Sequence, residues 1–88
     1  MESNKYQKLA KKQNKYYIIP QKGDIIVSHG NGALYKIATE EVSEETVHKA
    51  LEGEPVTIVV ANRIDYVITM YLTDLLDKRA YTWYRKLN

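Results

Sequence analysis

The sequence predicts a two-layer α+β domain, in which a mainly antiparallel sheet carries two helices on one face. Three observations lead to this fold class. The 88 residues are 44% hydrophobic and 27% charged, which is the composition of one small globular domain. Several short runs of β-branched residues are bounded by glycine or proline, as is typical of strands. Two other segments place apolar residues at helical spacing. The predicted order of elements is β-β-β-α-β-β-α.

Five segments are predicted to be strands, because short apolar runs rich in β-branched residues favour extended backbone. They are residues 16–19, 24–28, 33–38, 56–61 and 64–70. Pro20 and Gly23 provide turn chemistry between the first two segments. The last segment alternates apolar and polar residues, so we expect a half-buried antiparallel strand there.

The second and third strands are predicted to form a hairpin, because Asn31-Gly32 is a strong turn signal. The sequence leaves its register open. A two-residue turn would pair Ile26 with Ile37, whereas a four-residue loop would pair Val27 with Leu34.

The first helix is predicted over residues 44–52, and its ends are well marked. Ser43 is a good N-cap, and Gly53 and Pro55 end the helix. The second helix is predicted after Thr73. Its apolar stripe would consist of Leu76, Ala80, Trp83 and Leu87.

Two helices cover only one face of such a sheet, so the opposite face is expected to be partly apolar. We expect Val59, Val67 and either Tyr35 or Leu34 to lie there. Uncovered apolar area on a small domain favours self-association. The sequence therefore predicts a homodimer.

Charge is distributed unevenly along the chain. Residues 1–15 carry five lysines and one glutamate, residues 16–70 have a net charge of −4, and residues 71–88 have a net charge of +2. We therefore divide the chain into a basic segment, residues 1–15, predicted to be flexible or a frayed helix, and a single α+β domain, residues 16–88. Basic ends on an acidic body are a recognised feature of proteins with anionic partners, but a lysine-rich tail that only keeps the protein soluble is the preferred interpretation.

Most chemistry is excluded or disfavoured by the residues present. The chain has no cysteine, which rules out disulfides, thiolate zinc sites and thiol catalysis. Ser28 and His29 are neighbours on a strand and would point to opposite faces. Glu44 and His48 could offer two metal ligands from one helix face, but a third is not evident. The sequence thus predicts no catalytic residue, no metal and no cofactor.

The location of the protein is predicted from two further features. No apolar run approaches the roughly 18 residues that span a membrane, and the first residues lack the apolar stretch of a secretory signal. A cytoplasmic location is the resulting expectation.

The preferred functional hypothesis is a small non-enzymatic binding protein that occupies a surface of a macromolecular partner. A protein partner is favoured, and the small size fits a regulator or inhibitor of the kind that phages and mobile elements encode. Tyrosine, tryptophan and arginine are enriched at binding hot spots. The predicted contact residues lie on the last helix and are Tyr81, Trp83, Tyr84 and Arg85.

Two alternatives remain. The first is a nucleic-acid-binding accessory protein, in which lysines neutralise phosphates and tyrosines stack on unpaired bases. Its residues would be Lys5, Lys8, Lys11, Lys12, Lys15, Tyr6, Tyr16 and Tyr17. The second is a nucleotide-binding oligomer or small enzyme whose site is shared between subunits, because shared sites are not visible as motifs in one chain.

Overall fold

The predicted α+β class is confirmed by a computed structural model, which describes residues 5–9, 18–30, 34–62 and 66–87. Its six strands form one antiparallel sheet in the order β1-β6-β2-β3-β4-β5. The strands are Tyr6–Leu9 (β1), Ile25–Ser28 (β2), Tyr35–Ala38 (β3), Thr57–Asn62 (β4), Tyr66–Tyr71 (β5) and Tyr81–Lys86 (β6). The helices are Glu44–Leu51 (α1) and Leu72–Leu75 (α2).

The core lies between the two helices and one face of the sheet, which we call the helix face. Burial of apolar side chains in this layer is the main favourable contribution to folding. The fully buried apolar residues are Ile26, Ala38, Val47, Ala50, Ile58, Val60, Leu72, Leu75 and Trp83. Each helix contributes two of them, so both helices are held by the same side of the sheet.

The β2–β3 hairpin has a register that differs from both predicted ones. Val27 lies opposite Tyr35, and Ile25 lies opposite Ile37. The Ser28 N–H donates to the carbonyl of Leu34, so five residues connect the paired positions. Both predicted turns contained an even number of residues, and an odd number shifts every pair by one position.

The ends of α1 follow the prediction closely. The Ser43 hydroxyl accepts a hydrogen bond from the Thr46 N–H at 3.1 Å. Gly53 has a φ of 101°, a left-handed conformation that favours glycine after a helix. Lys49 Nζ lies 3.8 Å from the Glu45 carboxylate, one turn away. Local sequence signals therefore determine this element.

Replacing Ser43 with alanine is expected to lower the free energy of unfolding by about 1 kcal/mol, because the Thr46 N–H loses its acceptor. Ser43→Asp keeps an acceptor at the cap and is expected to remain near wild-type stability. Urea denaturation followed by circular dichroism measures both values. Equal stability of the alanine and aspartate variants would contradict this role of the cap.

The second predicted helix is mostly wrong. Only Leu72–Leu75 is helical, and residues 81–86 form strand β6. β6 lies inside the sheet and pairs with β1 on one side and β2 on the other. Two ladders of backbone hydrogen bonds outweigh the helical spacing of a few apolar residues, because helices are held mainly by tertiary packing.

The N-terminal residues also differ from the prediction. Tyr6–Leu9 form strand β1, which pairs with β6, rather than a flexible or frayed-helical segment. Leu9 packs against the core. Of the predicted strand over residues 16–19, Ile18 and Ile19 lie outside the strands but pack on the core. Its first two residues lie outside the described part of the chain.

Candidate functional site

The face of the sheet opposite the helices is the candidate functional site, and we call it the open face. Directly paired residues of neighbouring strands share a face, and alternate residues along a strand change face. The strand registers therefore define the open face. Its residues are Tyr6, Lys8, Ile25, Val27, Tyr35, Ile37, Thr57, Val59, Ala61, Val67, Thr69, Tyr71, Thr82, Tyr84 and Lys86.

A continuous apolar row crosses the middle of the open face. Tyr84, Ile25, Ile37, Ala61 and Val67 lie side by side on five successive strands. The first four are half-buried, whereas Val67, on the outermost strand of this row, is 61% exposed. The open face thus has an aliphatic centre that remains in contact with solvent.

Tyrosines lie around this centre. Tyr35 is 37% exposed and Tyr71 is 52% exposed. The predicted position of Val59, Val67 and Tyr35 on this face is confirmed, while Leu34 precedes β3. Tyrosine at the margin of an apolar patch offers contact area together with a hydroxyl for hydrogen bonding.

Positive charge is concentrated at one end of the open face. Tyr6 lies opposite Lys86, and Lys8 lies opposite Tyr84, so rings and ammonium groups alternate across β1 and β6. The described residues of this face include two lysines and no carboxylate. The β1–β6 end therefore favours an anionic contact.

The structure separates the four predicted contact residues. They lie on β6, where alternate side chains change face, so Tyr81, Trp83 and Arg85 are on the helix face and only Tyr84 is on the open face. Trp83 is 1% exposed and donates its indole N–H to the carbonyl of Leu75 at 2.7 Å. Trp83 is therefore not exposed for a surface contact, and the contact roles of Tyr81, Tyr84 and Arg85 stay predictions.

Arg85 instead forms an ion pair with the buried carboxylate of Asp24. Its Nε lies 2.9 Å from Oδ1 and its Nη2 lies 2.8 Å from Oδ2. The same Nη2 also donates to the carbonyl of Ile19, and the Gln21 N–H donates to Asp24. The hydrogen bonds with Asp24 raise the pKa of the Arg85 guanidinium above its ordinary value. This pair joins β6 to the segment before β2.

The residues predicted for nucleic-acid binding lie in two groups. Tyr6 and Lys8 are on the open face, and Lys5 precedes β1, where its carbonyl accepts from the Leu87 N–H. The remaining residues lie outside the described part of the chain. They are Lys11, Lys12, Lys15, Tyr16 and Tyr17.

His29 connects the end of β2 to the start of β6. Its Nδ1 lies 3.0 Å from the carbonyl of Arg79, and its Nε2 makes a hydrogen bond with the Thr82 hydroxyl. A carbonyl only accepts, so Nδ1 carries a proton and donates it to Arg79. Both ring nitrogens have partners within the fold, and we interpret these contacts as structural.

Other charged groups form pairs on the surface. Glu44 and His48 approach to 3.8 Å on α1, and within the described ranges no three His, Cys, Asp or Glu residues are grouped to hold a metal ion. Hydrogen bonds from Arg79 lower the pKa of the exposed Asp77 carboxyl. No helix in the described part of the chain is long and apolar enough to cross a membrane.

Two open-face residues of β6 were not predicted from the sequence. Thr82 and Lys86 belong to the open face beside the predicted Tyr84, and the segment YTWYRK is rich in aromatic and β-branched residues, as strands are. That enrichment was the available signal. Comparison with known proteins adds nothing to the geometry: no protein-family model, curated protein or solved structure matches the chain.

Proposed function

We propose that this protein is a small non-enzymatic binding protein that regulates or inhibits a protein partner by covering part of its surface with the open face. The observation that carries the proposal is the apolar row from Tyr84 to Val67 on the sheet face opposite both described helices. Apolar side chains in one contiguous patch on a small domain mark a site for association.

The arrangement of the open face favours a protein over other partners. Its centre is apolar and its margin carries hydroxyl and ammonium groups, which matches the apolar core and polar rim of a protein interface. An aliphatic centre gains most from contact with apolar side chains that also leave water. The lysines at the β1–β6 end indicate that the complementary surface is acidic beside its apolar part.

A matched pair of variants tests this proposal. Tyr35→Asp introduces a carboxylate in the open face, whereas Leu51→Asp introduces one at a similarly exposed apolar residue on α1, 47% exposed. Each tagged variant is used to capture proteins from a lysate, with quantification by mass spectrometry. We expect a partner that wild type and Leu51→Asp capture in similar amounts. Tyr35→Asp is expected to capture about 30-fold less of it, which is the effect of a hot-spot residue.

Folding of each variant is checked by the emission of Trp83, the only tryptophan in the chain, which is buried in the core. If no captured protein distinguishes Tyr35→Asp from Leu51→Asp, the open face is not the binding surface. Loss of the partner with Leu51→Asp alone would place the site on the helix layer instead.

Nucleic-acid binding is a second candidate, and one specific observation favours it. Tyr6, Lys8, Tyr84 and Lys86 form a patch of alternating rings and ammonium groups on β1 and β6. Rings that stack on bases beside lysines that contact phosphates are the usual elements of single-strand binding.

Salt dependence distinguishes this candidate from the first. If a single-stranded oligonucleotide binds, Lys86→Gln is expected to weaken binding and to reduce the slope of log K against log salt by about 0.7, the value for one phosphate contact on a single strand. The salt dependence of Tyr35→Asp, a change on the central strand β3, is measured for comparison. Binding with an unchanged slope in Lys86→Gln would contradict a phosphate contact there.

A further inference from the structure

We propose that the outer edge of β5, which no other described strand covers, pairs with the same edge of a second copy of this chain, so that two sheets join into one continuous antiparallel sheet. The proposal concerns the edge of the sheet and does not depend on what covers the open face. It rests on the direction of the backbone groups of β5, on the composition of this strand, and on the match between this strand and an antiparallel second copy of it.

The direction of the β4 backbone follows from two hydrogen bonds of Val59. Its N–H donates to the Glu40 carboxylate at 3.2 Å, and its carbonyl accepts from the Thr39 N–H at 3.3 Å. Both groups of Val59 thus point toward β3. Residues of the alternate set point toward β5, as the hydrogen bond from the Leu72 N–H to the Val56 carbonyl confirms.

The outward-pointing backbone groups of β5 belong to the residues that lie opposite Thr57, Val59 and Ala61. Thr69 lies opposite Val59, so the backbone groups of this pair point away from each other. Val67 and Tyr71 follow the same alternation. The N–H and carbonyl groups of these three residues are therefore directed away from β4, at the outer edge of the sheet.

The composition of β5 leaves this edge open to another strand. Its sequence, YVITMY, contains no charged residue, proline or glycine. Edge strands that avoid pairing usually carry lysine or proline or are very short. The opposite edge fits that description, because β1 has four residues and includes Lys8. The two edges of the sheet thus differ in the feature that controls pairing.

The strand also fits a second copy of itself in one antiparallel register. If Thr69 lies opposite the partner's Thr69, Val67 lies opposite the partner's Tyr71, and all three outward residues form hydrogen-bonded pairs. Three such pairs exchange about six backbone hydrogen bonds. Thr–Thr pairs and pairs of an aromatic with a β-branched residue are both favourable across strands. Registers shifted by two residues leave one outward residue without a partner.

The first experiment measures the mass of the full chain by analytical ultracentrifugation at micromolar concentration. The wild type is expected near twice the chain mass of 10.2 kDa. Thr69→Pro removes an outward N–H but no hydrogen bond between β4 and β5, and proline is tolerated at such edge positions. We expect this variant to be monomeric at this concentration, with a dimer dissociation constant at least tenfold higher than that of wild type.

The matched control places proline on the opposite edge. The Lys5 carbonyl accepts from the Leu87 N–H, so by alternation the Lys8 N–H points away from β6. Lys8→Pro is therefore expected to remain dimeric. A monomeric wild type, including one that pairs this edge with a strand of another protein, would overturn the proposal. A dimer that persists in Thr69→Pro would also overturn it, since the contact would then lie on a face.

The second experiment tests the register and remains decisive if Thr69→Pro fails to fold. The chain has no cysteine, so single-cysteine variants crosslink only at the chosen site. Cα atoms of a hydrogen-bonded antiparallel pair lie about 5.5 Å apart, within the range of a disulfide. Mild oxidation is expected to crosslink Thr69→Cys and to leave Val67→Cys uncrosslinked. Equal crosslinking of both variants, or crosslinking of Val67→Cys alone, would reject the proposed pairing.

Discussion

Arg85→Met is expected to lower the free energy of unfolding by about 3–5 kcal/mol, because it leaves the buried Asp24 carboxylate without its counter-ion. Asp24 is 1% exposed and accepts two hydrogen bonds from the guanidinium. Methionine keeps most of the apolar stem of the side chain, so the change isolates the loss of charge and hydrogen bonds. Since small domains are stable by only about 5–15 kcal/mol, a large part of the stability is removed. Urea denaturation measures the difference.

Two comparisons separate this effect from a general effect of removing arginine. Arg79 also pairs with an aspartate, Asp77, but its side chain is 86% exposed, so Arg79→Met is expected to change stability far less than Arg85→Met does. The double variant Asp24→Asn, Arg85→Met removes both charges and is expected to be more stable than Arg85→Met alone. Equal losses for Arg85→Met and Arg79→Met would show that the buried pair contributes little.

Trp83→Ala is expected to destabilise the fold by about 3–5 kcal/mol, since it removes the largest fully buried side chain of the core. Trp83→Phe retains much of the apolar volume but leaves the Leu75 carbonyl without its indole donor, and a smaller loss of about 1–3 kcal/mol is expected. Denaturation followed by circular dichroism measures both variants, because fluorescence is lost with the tryptophan.

The neighbouring residue gives the control for Trp83. Tyr84 lies on the open face and is half-buried, so Tyr84→Ala is expected to cost less than Trp83→Ala. The reverse order would place the indole rather than the phenol at the surface. If the expected order is found, loss of partner binding in a Trp83 variant reports unfolding rather than a lost contact. Loss of binding in a folded Tyr84 variant would support the open face as the binding surface.

Elements with local signals were predictable from the sequence. The cap at Ser43 and the left-handed position at Gly53 define α1 within a few residues. The strands from β2 to β5 coincide with short runs of β-branched residues. The open face was predicted in outline for the same reason, because the number of helices and the alternation of β3, β4 and β5 are visible in the sequence.

Elements that depend on distant partners were not predictable in this way. Trp83 has both the helical spacing of an apolar stripe and the alternation of a strand, and pairing with β1 and β2 decides between them. The ion pair of Asp24 with Arg85 joins residues 61 positions apart, and no local pattern connects them. The contact residues were predicted on a helix, and in the strand β6 the residues Tyr81, Trp83 and Arg85 share the helix face.

The position of β6 between β1 and β2 has a consequence for folding during synthesis. As the nascent chain leaves the ribosome, β2 to β5 can form a meander in the order in which they emerge, but β1 has no neighbour in the sheet until residues 81–86 are translated. Contacts with such large sequence separation slow folding, because the chain must close a long loop before they form. Until then, the edge of β2 that later binds β6 is exposed to other nascent chains.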